Sequence, residues 1–166
     1  MGDIRLFVSH ASRDQEIAAA LIKVIEAAMV PQGRILCTSH PDPKYREPKG
    51  VDVIKYLRDH LTQSSCVLGV ITPNSINRPW CLFELGGAWA LAKQTYCLLA
   101  GELSQKSLPA ALEGTDAAQL TEPEEIRRVL ANLRQTLVWE ERGKGSAGKE
   151  IDDLVNLVRR CSWASP

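Results

Sequence analysis

The 166 residues carry twenty basic and twenty acidic side chains, with 45% apolar and 24% charged residues, which fits one domain with a real core and excludes a disordered or polyelectrolyte chain. A net charge of zero and a pI near 6.8 give no general attraction for nucleic acid and little repulsion against self-association. Five cysteines without a CxxC pair favour buried thiols in a reducing cytosol over a disulfide framework, and neither a leader peptide nor a membrane span is read, so a cytoplasmic placement is expected.

The first run, IRLFVS at 4–9, is β-branched and aromatic and ends abruptly in HASRDQE. Ser12 with Gln15 three residues on has the form of a capping box, and Asp14 in the first turn suits the positive end of a helix. Ile17, Leu21, Val24 and Ala28 then recur at helical spacing. RILCTS at 34–39 predicts a second strand. HPDPKYREPKG at 40–50 holds three prolines and five charges, a composition that predicts a long exposed loop. The segment from Val51 to Ser64 predicts an amphipathic helix aligning Val53, Leu57 and Leu61, with Asp52 as a cap or first-turn residue.

CVLGVIT at 66–72 is nearly continuous in apolar residues, as a central parallel strand covered on both faces would be. PNSINRP makes a turn, and Trp80 to Lys93 predicts a helix. TYCLLAG at 95–101 supplies a fourth strand and Ala117–Leu120 a very short edge strand. A helix begins after Thr121, with Glu124 three residues on as a plausible cap. GKGSAG at 143–148 reads as a flexible link, and the last helix places Ile151, Leu154, Leu157 and Val158 on one side. Four or five strands alternating with helices imply an open parallel sheet between two helical layers, in a single domain over 1–166. Ligands of such sheets bind outside the carboxyl ends of the strands.

Glycine-rich nucleotide loops of the GxGxxG and GxxxxGK[ST] types are absent, as is a GxSxG nucleophile elbow. His10 and His40 could meet at adjacent strand ends near Asp42, but their spacing does not separate zinc ligands from ordinary loop residues. No metal is expected. Ser9 and His10 are neighbours on a strand and point opposite ways, which disfavours a hydrolytic pair.

Trp80 and Glu84 are the more specific pair. Glu84 is the only charge between Arg78 and Lys93, one helical turn from Trp80. An indole offers a stacking surface, and a carboxylate beside it can accept hydrogen bonds from ribose hydroxyls and stabilise positive charge on a sugar carbon. The structural alternative makes Trp80 a core anchor and Glu84 the acceptor for a backbone amide. Arg78 either binds a pyrophosphate or faces solvent.

These segments together resemble the Toll/interleukin-receptor (TIR) domain, bacterial type: RLFVSHASRDQEIAAALIKVI, the Pro-rich loop before GVDVIKYLRDHL, and above all CVLGVITPNSINRPWCLFELGGAW with its W-C-x-x-E-L pattern. The resemblance spans roughly residues 3–160. It implies a flavodoxin-like three-layer sandwich with a central parallel sheet. It also implies NAD+ as substrate, with no cofactor, and cleavage of the nicotinamide–ribose bond to ADP-ribose or a cyclic isomer. Glu84 is the implied catalytic residue; Trp80 lines the site, and Ser9, Phe7 and His10 border it. Residues 40–50 correspond to the loop that shapes access and self-assembly. Many members act only as scaffolds through TIR–TIR self-association, which is the competing expectation; a site for a different nucleotide is a third. The implied setting is bacterial antiviral defence, either within a longer protein bearing a sensor or as an effector answering a partner protein. No direct contact with membrane or nucleic acid is expected.

Overall fold

A computed structural model describes residues 4–38, 40–143 and 145–163. The chain runs β1 (Ile4–Ser9), α1 (Gln15–Ala28), β2 (Met29–Val30), β3 (Arg34–Cys37), α2 (Val53–Gln63), β4 (Cys66–Ile71) and α3 (Pro79–Ala90). It continues through β5 (Gln94–Leu99), β6 (Asp116–Gln119), α4 (Pro123–Leu137), β7 (Glu140–Glu141) and α5 (Gly148–Arg160). Ser39, the end of the expected second strand, and Lys144, in the expected link, lie outside the described residues.

Five strands form one parallel sheet in the order β3-β1-β4-β5-β6. Counting only these five in chain order, the arrangement is 2-1-3-4-5, the flavodoxin-like order, whose topological switch point lies between β1 and β4. There Ser9 stands opposite Gly69, while on the other side of β1 Val8 stands opposite Cys37.

Alternation along β1 sends Leu6 and Val8 to one face and Phe7 and Ser9 to the other. Leu6 and Val8 join Leu21, Ile25, Leu133 and Leu154 under α1, α4 and α5. Phe7 joins Leu36, Leu57, Leu61, Val67 and Leu85 under α2 and α3. The sheet is therefore the middle of three layers. Two glycines let α3 settle close: a Cβ on Gly69 would stand 3.0 Å from Leu85 Cδ2, and one on Gly87 3.0 Å from Leu61 Cδ2.

Several local expectations change. Ser12 caps nothing: Ser12–Asp14 form one 3-10 turn, α1 starts at Gln15, and no side chain caps it. The Asp14 carboxylate is committed to another loop instead. Thr121 is not the cap of α4 either. Glu122 holds that position without a side-chain bond, Pro123 presets the first turn, and Glu125 accepts from the Gln119 N–H at 2.7 Å. Asp52 does cap α2, accepting from the Lys55 N–H at 3.1 Å. Val53 faces solvent, leaving Leu57 and Leu61 as the buried residues of that helix.

The loop at 40–50 exposes Asp42, Lys44 and Lys49, half-buries Arg46 and Glu47, and is fastened at its middle. Tyr45 is buried, and its hydroxyl donates to Glu26 Oε1 at 2.6 Å beside the Lys44 ammonium at 2.8 Å. Its carbonyl accepts from the Cys37 N–H at 2.6 Å. Tyr45 thereby anchors the loop on α1. The segment after α4 adds the unforeseen antiparallel ribbon of β2 with β7.

Candidate active site

The site lies at the switch point, where the carboxyl ends of β1 and β4 meet the start of α3. Arg78 is extended at the N-cap position and Pro79 opens the helix, with its fixed φ suited to the first helical residue. The rotation of α3 then turns Cys81, Glu84, Leu85 and Ala88 inward. Trp80, Phe83 and Trp89 face outward, 42%, 69% and 61% exposed. Glu84 thus occupies a position the apolar stripe reserves for a core residue.

Its carboxylate is 3% exposed. Oε2 accepts from the Ser9 hydroxyl at 2.5 Å, a charge-assisted geometry. Oε1 is buried and, among the described residues, has no hydrogen-bond partner. Burial pushes the carboxyl up from its ordinary value of 4.5 to about 7, opposed by the Ser9 hydroxyl and less by the Trp80 indole N–H, which is near enough to favour the anion but does not meet hydrogen-bond geometry with either oxygen. A carboxylate with one oxygen fixed and the other unused is arranged to receive donors or positive charge from a ligand.

A cleft of about 360 Å³ opens at the start of the same helix, lined by His10, Ala11, Ser12, Arg13, Arg78, Trp80 and Cys81, with Ser9 and Glu84 outside its lining. Trp80 and Phe83 stack with ring centroids 6.1 Å apart at an interplanar angle of 23°. His10 is buried, with Nδ1 3.7 Å from the Cys37 sulfur and Nε2 unpartnered among the described residues. Burial is the main cause that lowers its pKa to about 4, so the ring is neutral at neutral pH. Burial likewise pushes the Cys37 thiol up to about 12, with the nearby Glu84 charge adding to the rise.

The two walls of the cleft are clipped together from behind. Asp14, 2% exposed, accepts from the Thr72 hydroxyl at 2.6 Å and from the Asn74 amide at 2.7 Å. This joins the loop carrying His10 to Arg13 with the loop leading to Arg78 and Trp80.

The structure thus pairs Glu84 with Ser9 and places Trp80, His10 and Arg78 together in the cleft lining, one helical turn from Glu84 at Trp80. Phe7 does not reach the cleft; it is fully buried in the apolar layer under α2 and α3. Trp80 is not a core anchor, and Glu84 bonds a hydroxyl rather than a backbone amide. His40 sits edge-on to Tyr45 at 4.6 Å, and its Nδ1 accepts from the Asp42 N–H at 3.0 Å. Among the described residues no group of three or more His, Cys, Asp or Glu side chains converges on a metal position. Sequence reading missed Arg13 as a cleft residue and Asp14, Thr72 and Asn74 as a clip. Asp14 lies 58 and 60 residues from its partners, so no local spacing marks it, and its place in a first turn offered a simpler role.

Comparison with known proteins agrees with the fold. Over 85 residues the chain is 29% identical to the uncharacterized protein YddK of Bacillus subtilis (strain 168), covering 51% of this chain and 31% of that one. The TIR-STING receptor of C. gigas, solved in complex with 2',3'-cGAMP, superposes with a TM-score of 0.58 at 20% identity, covering 86% of this chain and 42% of the receptor. The TIR domains of the activated Roq1 resistosome give a TM-score of 0.48 at 13% identity, over 96% of this chain and 86% of that one. The chain spans about a third of the Bacillus protein and less than half of the receptor. Residues 6–133 match the family model described as the TIR domain, and with its parallel sheet between helical layers the chain belongs to the TIR domain family.

Proposed function

We propose that the protein is a cytoplasmic NAD+ glycohydrolase in which Glu84 is the catalytic residue. The observation that carries this reading is the buried Glu84 carboxylate, with Oε2 held by Ser9 and Oε1 without a partner among the described residues, one helical turn from the Trp80 that lines the cleft. The nicotinamide ring stacks near the indole while the ribose hydroxyls donate to Glu84. As the C1′–N bond breaks, its electron pair returns to the pyridinium, and nicotinamide leaves neutral. No general acid is required. Positive charge grows instead on the ribose, where an anionic carboxylate in a low-dielectric site stabilises it most. Water capture gives ADP-ribose, and capture by a group of the same molecule gives a cyclic isomer. His10 and Arg78 complete the substrate contacts. In a bacterial antiviral role, either product serves as NAD+ depletion or as a signal, under control of a sensor domain or partner protein.

Self-association through the TIR domain is compatible with this chemistry, and one observation favours it. The outer face of α3 exposes Leu82, Phe83 and Trp89, and large apolar side chains grouped on one exposed face mark interaction surfaces. A scaffold without turnover is the competing outcome.

Product analysis in H₂¹⁸O, at protein concentrations that permit assembly, tests the reading. It expects nicotinamide release, with one ¹⁸O in any ADP-ribose and none in a cyclic product. Assembled wild-type protein that leaves NAD+ intact would instead support the scaffold.

A further inference from the structure

The His10 wall of the cleft has a support that begins outside the site. His10 lines the cleft, and its Nδ1 lies 3.7 Å from the Cys37 sulfur. Cys37 ends β3, the edge strand, so sheet pairing holds it on one side only, opposite Val8 of β1. On its open side the loop at 40–50 takes the place of a further strand. The Cys37 N–H donates to the Tyr45 carbonyl at 2.6 Å, and the Cys37 carbonyl accepts from the His40 N–H at 3.2 Å. Tyr45 is fixed in turn at its far end. Its hydroxyl donates to Glu26 Oε1 at 2.6 Å and accepts from the Lys44 ammonium at 3.0 Å. A continuous line of contacts thus runs from Glu26 on α1, through Tyr45 and Cys37, to His10.

We infer that Tyr45 is a positioning residue for the cleft: anchored by Glu26, it fixes the end of β3 and, through Cys37, the place of His10. Tyr45 is the one buried residue of the loop between Pro41 and Gly50, so no other side chain there shares its task. Without the two loop bonds, the last residue of an edge strand is free to fray. The hydroxyl carries the anchor because its acceptor is a carboxylate, and such bonds are about twice as strong as neutral ones. The Lys44–Glu26 ion pair adds little, since the lysine side chain is 64% exposed. A contact from His10 to bound substrate is made alike before and during the reaction. Displacing His10 therefore weakens binding and leaves the chemical step at Glu84 alone.

The test compares wild type with Tyr45→Phe, Glu26→Ala, their double variant and Glu26→Gln in two measurements. Tyr45→Phe keeps the aromatic ring against His40 and removes only the anchor. The imidazole C2–H signals of the three histidines, read by NMR without substrate, report on the wall itself. The His10 signal is expected to shift or broaden, while that of His60, bonded to the Tyr56 carbonyl within α2, stays in place. In steady-state kinetics the KM for NAD+ is expected to rise about fivefold with kcat unchanged. The double variant should be no worse than either single one, and Glu26→Gln, which keeps an oxygen acceptor, should recover most of the loss. A purely structural Tyr45 would lower kcat with the folded fraction and leave KM and the His10 signal where they are, overturning the inference. A His10 signal that moves with KM unchanged would overturn it too. The kinetic half rests on the NAD+ reading of the site; the NMR half does not. Wild-type protein that leaves NAD+ intact, with the His10 signal displaced in the variants, would overturn the Glu84 reading and keep the positioning. Intact NAD+ with an unmoved signal would overturn both.

Discussion

The Ser9 hydroxyl donates to the Glu84 carboxylate at 2.5 Å, tying the last residue of β1 to the middle of α3. The sheet's own alternation makes this contact: Ser9 shares a face with Phe7, and that face is covered by α3. The bond opposes the desolvation that pushes Glu84 up to about 7. In Ser9→Ala, the carboxyl is expected to rise further. The acid limb of the kcat/KM–pH profile should move to higher pH, and turnover at pH 7 should fall about tenfold. A pH–rate profile of the two proteins checks this. An unmoved limb would mean that Ser9 does not tune Glu84.

Glu84 should also be a liability for folding. Its folded pKa of about 7 lies above its ordinary 4.5, so between these values the folded state binds the extra proton. Stability then falls as pH rises through that window. Replacing the group by Glu84→Gln is expected to stabilise the protein by about 2–3 kcal/mol at pH 8 and by little at pH 5. Denaturant melts at both pH values measure the difference. Equal effects at the two would contradict the raised pKa.

Asp14 is buried with two donors that have no other role in the cleft. Asp14→Ala leaves the Thr72 hydroxyl and the Asn74 amide without their acceptor, at an expected cost of about 2–4 kcal/mol. The swap Asp14→Asn with Asn74→Asp keeps a donor opposite an acceptor and should recover most of that loss. Chemical denaturation of the single and double variants gives the coupling. Simple additivity would show that the two loops are not joined here.

Close packing of α3 on β4 depends on Gly69. A methyl group there meets the Leu85 side chain at 3.0 Å and that of Ile71 at 3.3 Å, so Leu85 must shift by a few tenths of an ångström beside Glu84 on the same helix. Gly69→Ala is expected to lose about 1–3 kcal/mol of stability and about 100-fold in NAD+ turnover, because catalysis depends on sub-ångström placement. Thermal melts paired with kinetics decide it: activity that survives in proportion to stability would show the helix has room to adjust.

What the sequence made legible follows from periodicity. Runs such as CVLGVIT, and the spacing of Leu57 with Leu61, carry their burial in their pattern, and the open parallel sheet follows from their alternation. Trp80 and Glu84 stood out because a lone charge interrupts an apolar helix. The details that failed were those settled by distant partners. Asp14 satisfies the local rule for a helix start, yet Thr72 and Asn74 claim its carboxylate. Tyr45 belongs to a loop whose composition reads as wholly solvated, but Glu26 and the Cys37 amide hold it down. Phe7 neighbours site residues in sequence, and strand alternation places its ring in the core. The W-C-x-x-E-L pattern could not reveal that the two arginines share a cleft, since loops rather than spacing bring them together.

The central claim is that the Glu84 carboxylate carries NAD+ cleavage. The most direct measurement is the rate of nicotinamide release by wild type and by Glu84→Gln, at one high protein concentration and with matched circular dichroism spectra. The expected result is turnover in the wild type that falls at least about 100-fold in the folded variant, the usual scale for losing a transition-state electrostatic partner. Undiminished release by Glu84→Gln would contradict the account and place the chemistry on other residues.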